Sequence, residues 1–218
     1  KRYAGHPALH AFGLCNEVGS GIPTFSDEAC QRYRLWLKAK YGSVEELNRA
    51  WAAQRWSRKL NSFEDAEFPV AGDINGAPER MLDMRRFFSD EQLNYLYGLS
   101  EIVRKNAPDA RETTNHWGEN PVLGFDYLKG YNQIFDLPGV GFYPGVNPED
   151  RNALFGACLH MIHRISEKDE PIWCLEFQTG SFGAYAPPKG VLRMYAYLSL
   201  LFRSEAICAW TWRSMLGG

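Results

Sequence analysis

The sequence predicts an α/β fold with a parallel sheet, and within that class part of a (β/α)8 (TIM) barrel. Five short apolar runs alternate with helix-like segments, at residues 9–15, 111–115, 138–143, 171–176 and 206–212. Continuous apolar runs are typical of parallel strands that are covered on both faces, and regular alternation with helices implies right-handed crossovers. A complete barrel needs about 250 residues and eight strands. The 218 residues are therefore expected to form a partial barrel, about strands four to eight with their helices.

The five predicted strands could also form an open, doubly wound parallel sheet instead of part of a barrel. In that fold the first strand leads into a glycine-rich turn that holds phosphate. Gly19-Ser20-Gly21 follows the first run, but no third glycine arrives in register and Glu17 would face the phosphate. The barrel is therefore preferred, with residues 1–218 as one fragment of a single catalytic domain.

The first three helices are predicted from their caps and their apolar spacing. Ser26 can cap a helix that stops at Gly42, and the sequence SVEE from Ser43 forms a capping box for a short second helix. Leu93, Leu96, Leu99 and Val103 lie at helical spacing within a third helix over 80–106.

The remaining segments are read in the same way. Residues 148–167 and 188–203 are expected to form two more helices. Residues 57–79 have no clean period and are expected to form a long loop, which inside a compact domain is usually functional or interfacial.

Composition excludes several classes of partner. The net charge is −2 and there is no basic run, which argues against nucleic acid or an anionic membrane surface. No apolar stretch approaches the ~18 residues that a membrane-spanning helix needs. The start of the chain, KRYAGHP, has neither Met nor a signal-like segment and reads as cut from something longer.

Cysteines and histidines give no pattern of a metal site, and no cofactor is expected. The five cysteines form no CxxC pair, which speaks against structural zinc and fits a reducing compartment. A cytoplasmic location is favoured on that ground, although the localisation is left open. His160 and His163 lie three apart without a nearby third ligand and are expected on a helix face.

Two glutamates carry the chemical hypothesis. Glu17 ends the apolar run HAFGLCNE and Glu176 ends the run PIWCLE, and small or polar residues follow each of them. A carboxylate at the end of a buried strand is costly unless it is paired or used. Active groups of (β/α)8 enzymes gather at the carboxyl ends of the strands. Two carboxyl groups at one mouth are what hydrolysis of a glycosidic bond requires.

The other strand ends hold residues that suit a sugar. Asn16 precedes the first glutamate, and the later strand ends carry Asn115, Trp117, Tyr143 and Trp212. Aromatic rings stack on the C–H faces of sugars, while amides and hydroxyl groups bind the sugar hydroxyls. We predict that these five residues contact a carbohydrate substrate.

The run 36–51, WLKAKYGSVEELNRAW, resembles the family 42 glycoside hydrolases, the β-galactosidases of the large clan of retaining barrel glycosidases. The resemblance extends to RWS at 55–57, FED at 63–65, DMRRF at 83–87 and TTN at 113–115, and it covers essentially the whole chain. Val18 departs from the family, which usually has an aromatic residue directly after the first glutamate.

The resemblance implies roles for individual residues. Glu17 would be the acid/base and Glu176 the nucleophile, with Asn16 near the sugar 2-hydroxyl, Tyr143 near the nucleophile and Trp212 beneath the ring. It also implies a retaining hydrolase of terminal β-D-galactosides that assembles as a homotrimer. The fragment alone is expected to be inactive.

Two alternatives stay open. Another retaining barrel glycosidase would act on β-mannosides, β-glucosides or arabinopyranosides. A non-catalytic, carbohydrate-binding barrel fragment would belong to a different class, and its expected sign would be the loss of one carboxylate, whereas both are present.

Overall fold

The structure is a computed structural model that describes residues 2–18, 24–69, 78–115, 125–143, 169–180 and 189–211. The strands are β1 (Ala11–Gly13), β2 (Arg111–Thr113), β3 (Gly139–Phe142), β4 (Ile172–Gln178) and β5 (Ser204–Trp210). The α-helices are α1 (Asp27–Tyr41), α2 (Val44–Ala50), α3 (Pro78–Asn106), α4 (Tyr127–Gln133) and α5 (Val191–Leu201). Two short 3-10 helices cover Arg55–Ser57 and Phe63–Asp65.

All strand pairings among these residues are parallel and follow chain order. β1 pairs with β2, and β3, β4 and β5 form a second sheet in that order. A single parallel bridge from Thr113 to Leu137 joins the end of β2 to the residues that lead into β3. The prediction of a mixed α/β fold with parallel strands is confirmed, and within the described ranges the strands do not close into a barrel.

The helices and strands agree with those predicted from the sequence, except at the following points. β5 begins and ends two residues before the predicted run 206–212. Helix α4 was missed, because it is short and contains Gly130; the Asp126 side chain caps it by accepting from the Lys129 N–H at 3.0 Å. Residues 57–69 of the predicted loop include a 3-10 helix, and the helix expected over 148–167 lies outside the described residues.

The chain divides into two compact units. One contains the strands and consists of residues 1–21, 92–122 and 126–218, and the other consists of residues 22–91 and 123–125. Helix α3 contributes its first part to the second unit and its last part to the first. The expectation of a single domain stays a prediction.

The second unit has its own apolar core. Helices α1 and α2 begin at the predicted caps, where Ser26 accepts from the Ala29 N–H at 3.3 Å and Ser43 accepts from the Glu46 N–H at 3.2 Å. Buried side chains from both helices and from α3 pack together, among them Tyr33, Leu37, Leu47, Trp51 and Phe87. Caps of this kind each stabilise a helix by about 1 kcal/mol.

A buried carboxylate lies at the edge of this core. Asp83 is 1% exposed and accepts hydrogen bonds from the Lys40 ammonium, from the Tyr41 hydroxyl at 2.5 Å and from the Trp51 indole N–H at 2.9 Å. Burial alone would raise the pKa of Asp83, but the three donors outweigh it and hold that pKa below its ordinary value. Asp83 thus ties α3 to α1 and to Trp51, the residue that follows α2.

Gly139 allows the strands of the first unit to approach closely. A Cβ at this position would lie 2.4 Å from the Thr114 carbonyl oxygen, 2.6 Å from Leu175 Cδ1 and 2.7 Å from Thr113 Oγ1. No side chain fits there without moving backbone. The glycine therefore lets the start of β3 lie against the end of β2, next to Thr114.

None of the helices in the described ranges combines the length and the apolarity needed to cross a membrane.

Candidate functional site

The carboxyl end of β1 leads directly to Glu17. The strand ends at Gly13, and the chain then bends through Asn16 and Glu17. Glu17 has a φ of 47°, in the left-handed region that side chains other than glycine seldom adopt. Such a conformation costs on the order of 1–3 kcal/mol and persists only where the surroundings hold it. The contacts of the two preceding residues are therefore important.

Those contacts form a ladder between the ends of β1 and β2. The Leu14 N–H donates to the Thr113 carbonyl at 2.9 Å, and Thr114 Oγ1 donates to the Cys15 carbonyl at 2.8 Å. One step further, Asn115 Nδ2 donates to Asn16 Oδ1 at 3.2 Å. The ladder continues the parallel pairing of the strands by side chains after the backbone pairing has ended.

The prediction that Glu176 ends its strand is wrong, because β4 continues to Gln178. Glu176 lies within β4, at an irregularity of the sheet. Val140 is paired with Cys174, but the next residue, Gly141, is paired with Glu176, so that one residue of β4 is skipped. The pairing of β4 with β5 shifts over the same stretch. Bulges of this kind re-aim side chains, and here the half-buried Glu176 accepts a hydrogen bond from the Tyr143 hydroxyl at its Oε2 atom.

Glu17 and Glu176 share one electrostatic environment. Burial raises the pKa of Glu17 above its ordinary value, and the negative charge of Glu176 raises it further. The pKa of Tyr143 is also raised, by burial first, then by its hydrogen bond to Glu176 and by the charges of both glutamates. Glu17, which follows β1, Glu176, which lies within β4, and Tyr143, which follows β3, therefore influence one another's pKa values or hydrogen bonding.

A buried thiol group contacts the backbone of Glu176. Cys174 is fully buried, and its Sγ atom donates to the Glu176 carbonyl oxygen at 3.6 Å. Burial, followed by the charges of Cys208 and Glu176, raises the pKa of Cys174 to about 12. This thiol therefore stays protonated near neutral pH and adds no charge behind the carboxylate.

The arrangement is suited to acid–base chemistry that uses two carboxyl groups. When two carboxyl groups interact, one keeps its proton to a higher pH while the other ionises. Burial and the charge of Glu176 raise the pKa of Glu17, which favours its protonated form. Glu176 accepts the hydrogen bond of the Tyr143 hydroxyl.

The other residues predicted for the site lie in different places. Asn16 is exposed next to Glu17, whereas Asn115 is only 6% exposed and contacts Asn16. Trp117 and Trp212 lie outside the described residues. Sequence reasoning missed Thr114 as a member of the site, although its place directly before Asn115 at a strand end could have indicated it.

No group of three His, Cys, Asp or Glu side chains that could hold a metal ion is found among the residues that the structure describes.

Comparison with known proteins gives one consistent result. A family model described as β-galactosidase, glycoside hydrolase family 42, matches residues 1–218. A β-galactosidase of Heyndrickxia coagulans is 30% identical over 224 residues, which cover 100% of this chain and 33% of that protein. A β-galactosidase of Halorubrum lacusprofundi is 28% identical over 233 residues, with the same coverage of both proteins. The chain spans about a third of the length of the curated relatives it matches.

Solved structures show the same fold. The β-galactosidase of Bacillus circulans sp. alkalophilus matches 100% of this chain and 32% of its own, with a TM-score of 0.85 and 24% identity. An exo-carrageenase from Bacteroides ovatus, also of family 42, matches 86% of this chain and 28% of its own, with a TM-score of 0.65 and 19% identity. The architecture is therefore that of about a third of such a catalytic chain.

Proposed function

The chain belongs to glycoside hydrolase family 42, and from that premise we propose that it supplies the acid/base Glu17 and the nucleophile Glu176 of a retaining β-galactosidase. The observation that carries the proposal is the placement of two carboxyl groups on separate parallel strands, with Glu17 after β1 and Glu176 in β4; burial and then the charge of Glu176 raise the pKa of Glu17. In this proposal β1 to β5 correspond to strands four to eight of the (β/α)8 barrel. The 218 residues are then the later part of its catalytic domain.

The proposed reaction is a double displacement. Glu17 transfers its proton to the glycosidic oxygen as the bond from that oxygen to the anomeric carbon breaks. The ionised Glu176 attacks the anomeric carbon and forms an ester. The Tyr143 hydroxyl, which donates to Oε2 of Glu176, helps to orient the attacking carboxylate.

The second displacement runs in the opposite direction. Glu17, now a carboxylate, takes a proton from water while the water oxygen attacks the anomeric carbon. The ester to Glu176 breaks, and the sugar leaves with its original anomeric configuration. Glu17 regains its proton and Glu176 its charge, so the site returns to its starting state.

The substrate contacts belong to the same proposal. Asn16, exposed beside Glu17, is assigned to the sugar 2-hydroxyl, where hydrogen bonds strengthen in the transition state. Trp212 is assigned to the face of the sugar and Trp117 to the same pocket, on the family resemblance alone. A homotrimer is proposed on the same basis.

The test uses the longest open reading frame that contains this sequence and, beside it, the 218-residue chain alone. The longer protein is expected to hydrolyse 4-nitrophenyl β-D-galactopyranoside with retention, as followed by NMR of the first-formed anomer, and the chain alone to be inactive. Glu176→Gln should abolish turnover, whereas the exposed Glu101→Gln serves as control and should retain it. Azide should restore turnover to Glu176→Gly and yield the galactosyl azide of inverted configuration.

Two outcomes would contradict the proposal. Wild-type product of inverted configuration would exclude the double displacement, since inverting enzymes use the second carboxylate as a base for water. Full activity of Glu176→Gln would exclude this residue as nucleophile. A panel of nitrophenyl β-mannosides, β-glucosides and arabinopyranosides separates β-galactosidase activity from the other retaining activities.

A further inference from the structure

We propose that Asn115 is a positioning residue, which fixes the side-chain amide of Asn16 so that the Asn16 Nδ2 atom faces the sugar 2-hydroxyl. The inference rests on the proposed function, because it concerns the same sugar contact. It assigns to Asn115 an indirect role in place of the direct substrate contact expected from the sequence.

Burial favours the indirect role. Asn115 is 6% exposed and its Oδ1 atom is buried, without a hydrogen-bond partner among the residues that the structure describes. Asn16, by contrast, is exposed. Of the two amides, only that of Asn16 is open to a ligand, and Asn115 reaches the ligand through it.

The hydrogen bond between the two amides sets their orientation. An asparagine amide has one acceptor, its oxygen, and one donor group, its nitrogen with two N–H bonds. Asn115 Nδ2 donates to Asn16 Oδ1 at 3.2 Å, so the oxygen of Asn16 is turned toward Asn115. The nitrogen of Asn16 therefore points away from Asn115, and in this proposal it donates to the oxygen of a sugar hydroxyl.

Asn115 is itself held by its neighbours. The residue before it, Thr114, donates to the Cys15 carbonyl at 2.8 Å, and Gly139 lets β3 lie directly against the Thr114 carbonyl. Asn115 thus follows a backbone that is fixed on two sides. A donor on such a support can select one of the two orientations of the exposed Asn16 amide.

Asn115→Asp tests this orientation directly. A carboxylate of the same shape can only accept, so the Asn16 amide should turn its nitrogen toward residue 115 and present its oxygen to the sugar. The measured quantity is the ratio of kcat/KM for 4-nitrophenyl β-D-galactopyranoside to that for its 2-deoxy analogue, in the longest reading frame. We expect this ratio to fall about tenfold in Asn115→Asp, the effect of about one hydrogen bond.

Four further variants complete the test. Asn16→Ala should lower the ratio at least as far, and adding Asn115→Asp to it should lower the ratio no further. Asn115→Ala removes the donor without adding a charge and should lower the ratio less than Asn115→Asp does. The control is Asn48→Asp, at a buried amide that pairs with both backbone groups of Leu60 in the other unit, and it should leave the ratio unchanged.

The outcomes separate this inference from the proposed function. Turnover with a 2-hydroxyl preference that is the same in wild type, Asn115→Asp and Asn115→Ala would overturn the positioning role alone. Turnover by the wild type without any preference for the 2-hydroxyl would also overturn it and leave the retaining mechanism standing. Absence of turnover in the wild type would overturn both. Circular dichroism checks folding, and if Asn115→Asp does not fold, Asn115→Ala decides.

Discussion

Two separate causes raise the pKa of the Glu17 carboxyl group. Burial raises the pKa of this carboxyl above its ordinary 4.5, and the charge of Glu176 adds to the effect. Replacing Glu176 by Gln removes the charge and leaves the burial, so we expect the pKa of Glu17 to fall without returning to 4.5. Titration of the Glu17 carboxyl carbon by NMR measures this change. Glu101→Gln is the control and should leave the pKa of Glu17 unchanged. An equal pKa of Glu17 in Glu176→Gln and in the wild type would contradict the electrostatic interaction between the two glutamates.

The same shift fixes the direction of the pH dependence of turnover. In the proposed reaction Glu17 must be protonated to donate to the leaving group, so kcat should fall as the pH rises through the pKa of Glu17 in the enzyme–substrate complex. In Glu17→Gln that alkaline limb should disappear together with most of the activity on poor leaving groups. Activated aryl galactosides, which need little protonation, should lose less. An unchanged alkaline limb in Glu17→Gln would remove Glu17 from the role of acid.

Gly139 provides a test of close packing at the same strand ends. The Cβ of Gly139→Ala would lie 2.4 Å from a backbone oxygen, so the ends of β2 and β3 would have to move apart. We expect a loss of about 1–3 kcal/mol in the free energy of unfolding. Gly98→Ala, in helix α3 where the added Cβ meets nothing within 4 Å, is the matched control and should stabilise by about 0.5–1 kcal/mol. Equal effects of the two substitutions on urea unfolding would contradict this account.

Single residues also show what the sequence could and could not predict. Glu17 and Glu176 could be proposed as candidates because each ends an apolar run, and burial, followed by the charge of Glu176, raises the pKa of Glu17. The contact of Asn115 with Asn16 was not predictable, since the register between β1 and β2 decides it. The irregularity at Glu176 likewise arises from the pairing of β4 with β3 and β5. The residues around Glu176 do not by themselves determine that pairing.

At the scale of elements, prediction succeeded where local signals are strong. Helices α1 and α2 begin at the serines whose capping pattern predicted them. The missed helix α4 has only seven residues and contains a glycine, so that neither length nor propensity marks it. β5 is displaced by two residues from its predicted range for a similar reason: the local signal is weak. An apolar run does not indicate at which residue the backbone pairing starts.

The contact of helices α1 and α3 at Asp83 predicts a pH-dependent stability. Leaving the donors of a buried ion pair without their carboxylate is strongly destabilising, so Asp83→Ala should cost about 3–5 kcal/mol near neutral pH. The folded pKa of Asp83 is lowered, so its stabilising effect is present above the unfolded pKa and is lost as the pH falls through the folded pKa. The difference between variant and wild type should therefore shrink in acid.

Urea unfolding at several pH values, followed by tryptophan fluorescence, measures this difference. Trp51 donates to Asp83 and lies in the same core, so its fluorescence reports on the unit concerned. The control is Glu64→Ala, whose carboxylate is 82% exposed and 3.7 Å from Arg34, and it should change the stability by less than about 0.5 kcal/mol. A loss for Asp83→Ala that stays constant from pH 7 down to pH 2 would argue against the ionised carboxylate as its source.

At the scale of the whole molecule, the outer strands of the first unit have open edges within the described part of the chain. Among the described residues, β1 pairs only with β2 and β5 pairs only with β4. The exposed side chains on β5 and α5 include Ile207, Trp210, Tyr197, Leu200 and Leu201. Unpaired parallel strands with exposed apolar side chains tend to pair with other chains.

We therefore expect the 218-residue chain, when produced alone, to self-associate. Light scattering after size-exclusion chromatography should give a mass well above the monomer mass of 24.9 kDa. Ile207→Lys puts a charge on β5, at its exposed side, and should shift the chain toward the monomer, because a lysine on an edge strand opposes pairing. Leu35→Lys, at an equally apolar and 66% exposed position on helix α1, is the control and should leave the association unchanged. A monodisperse wild-type monomer with cooperative thermal unfolding would show that these edges are closed by the chain itself.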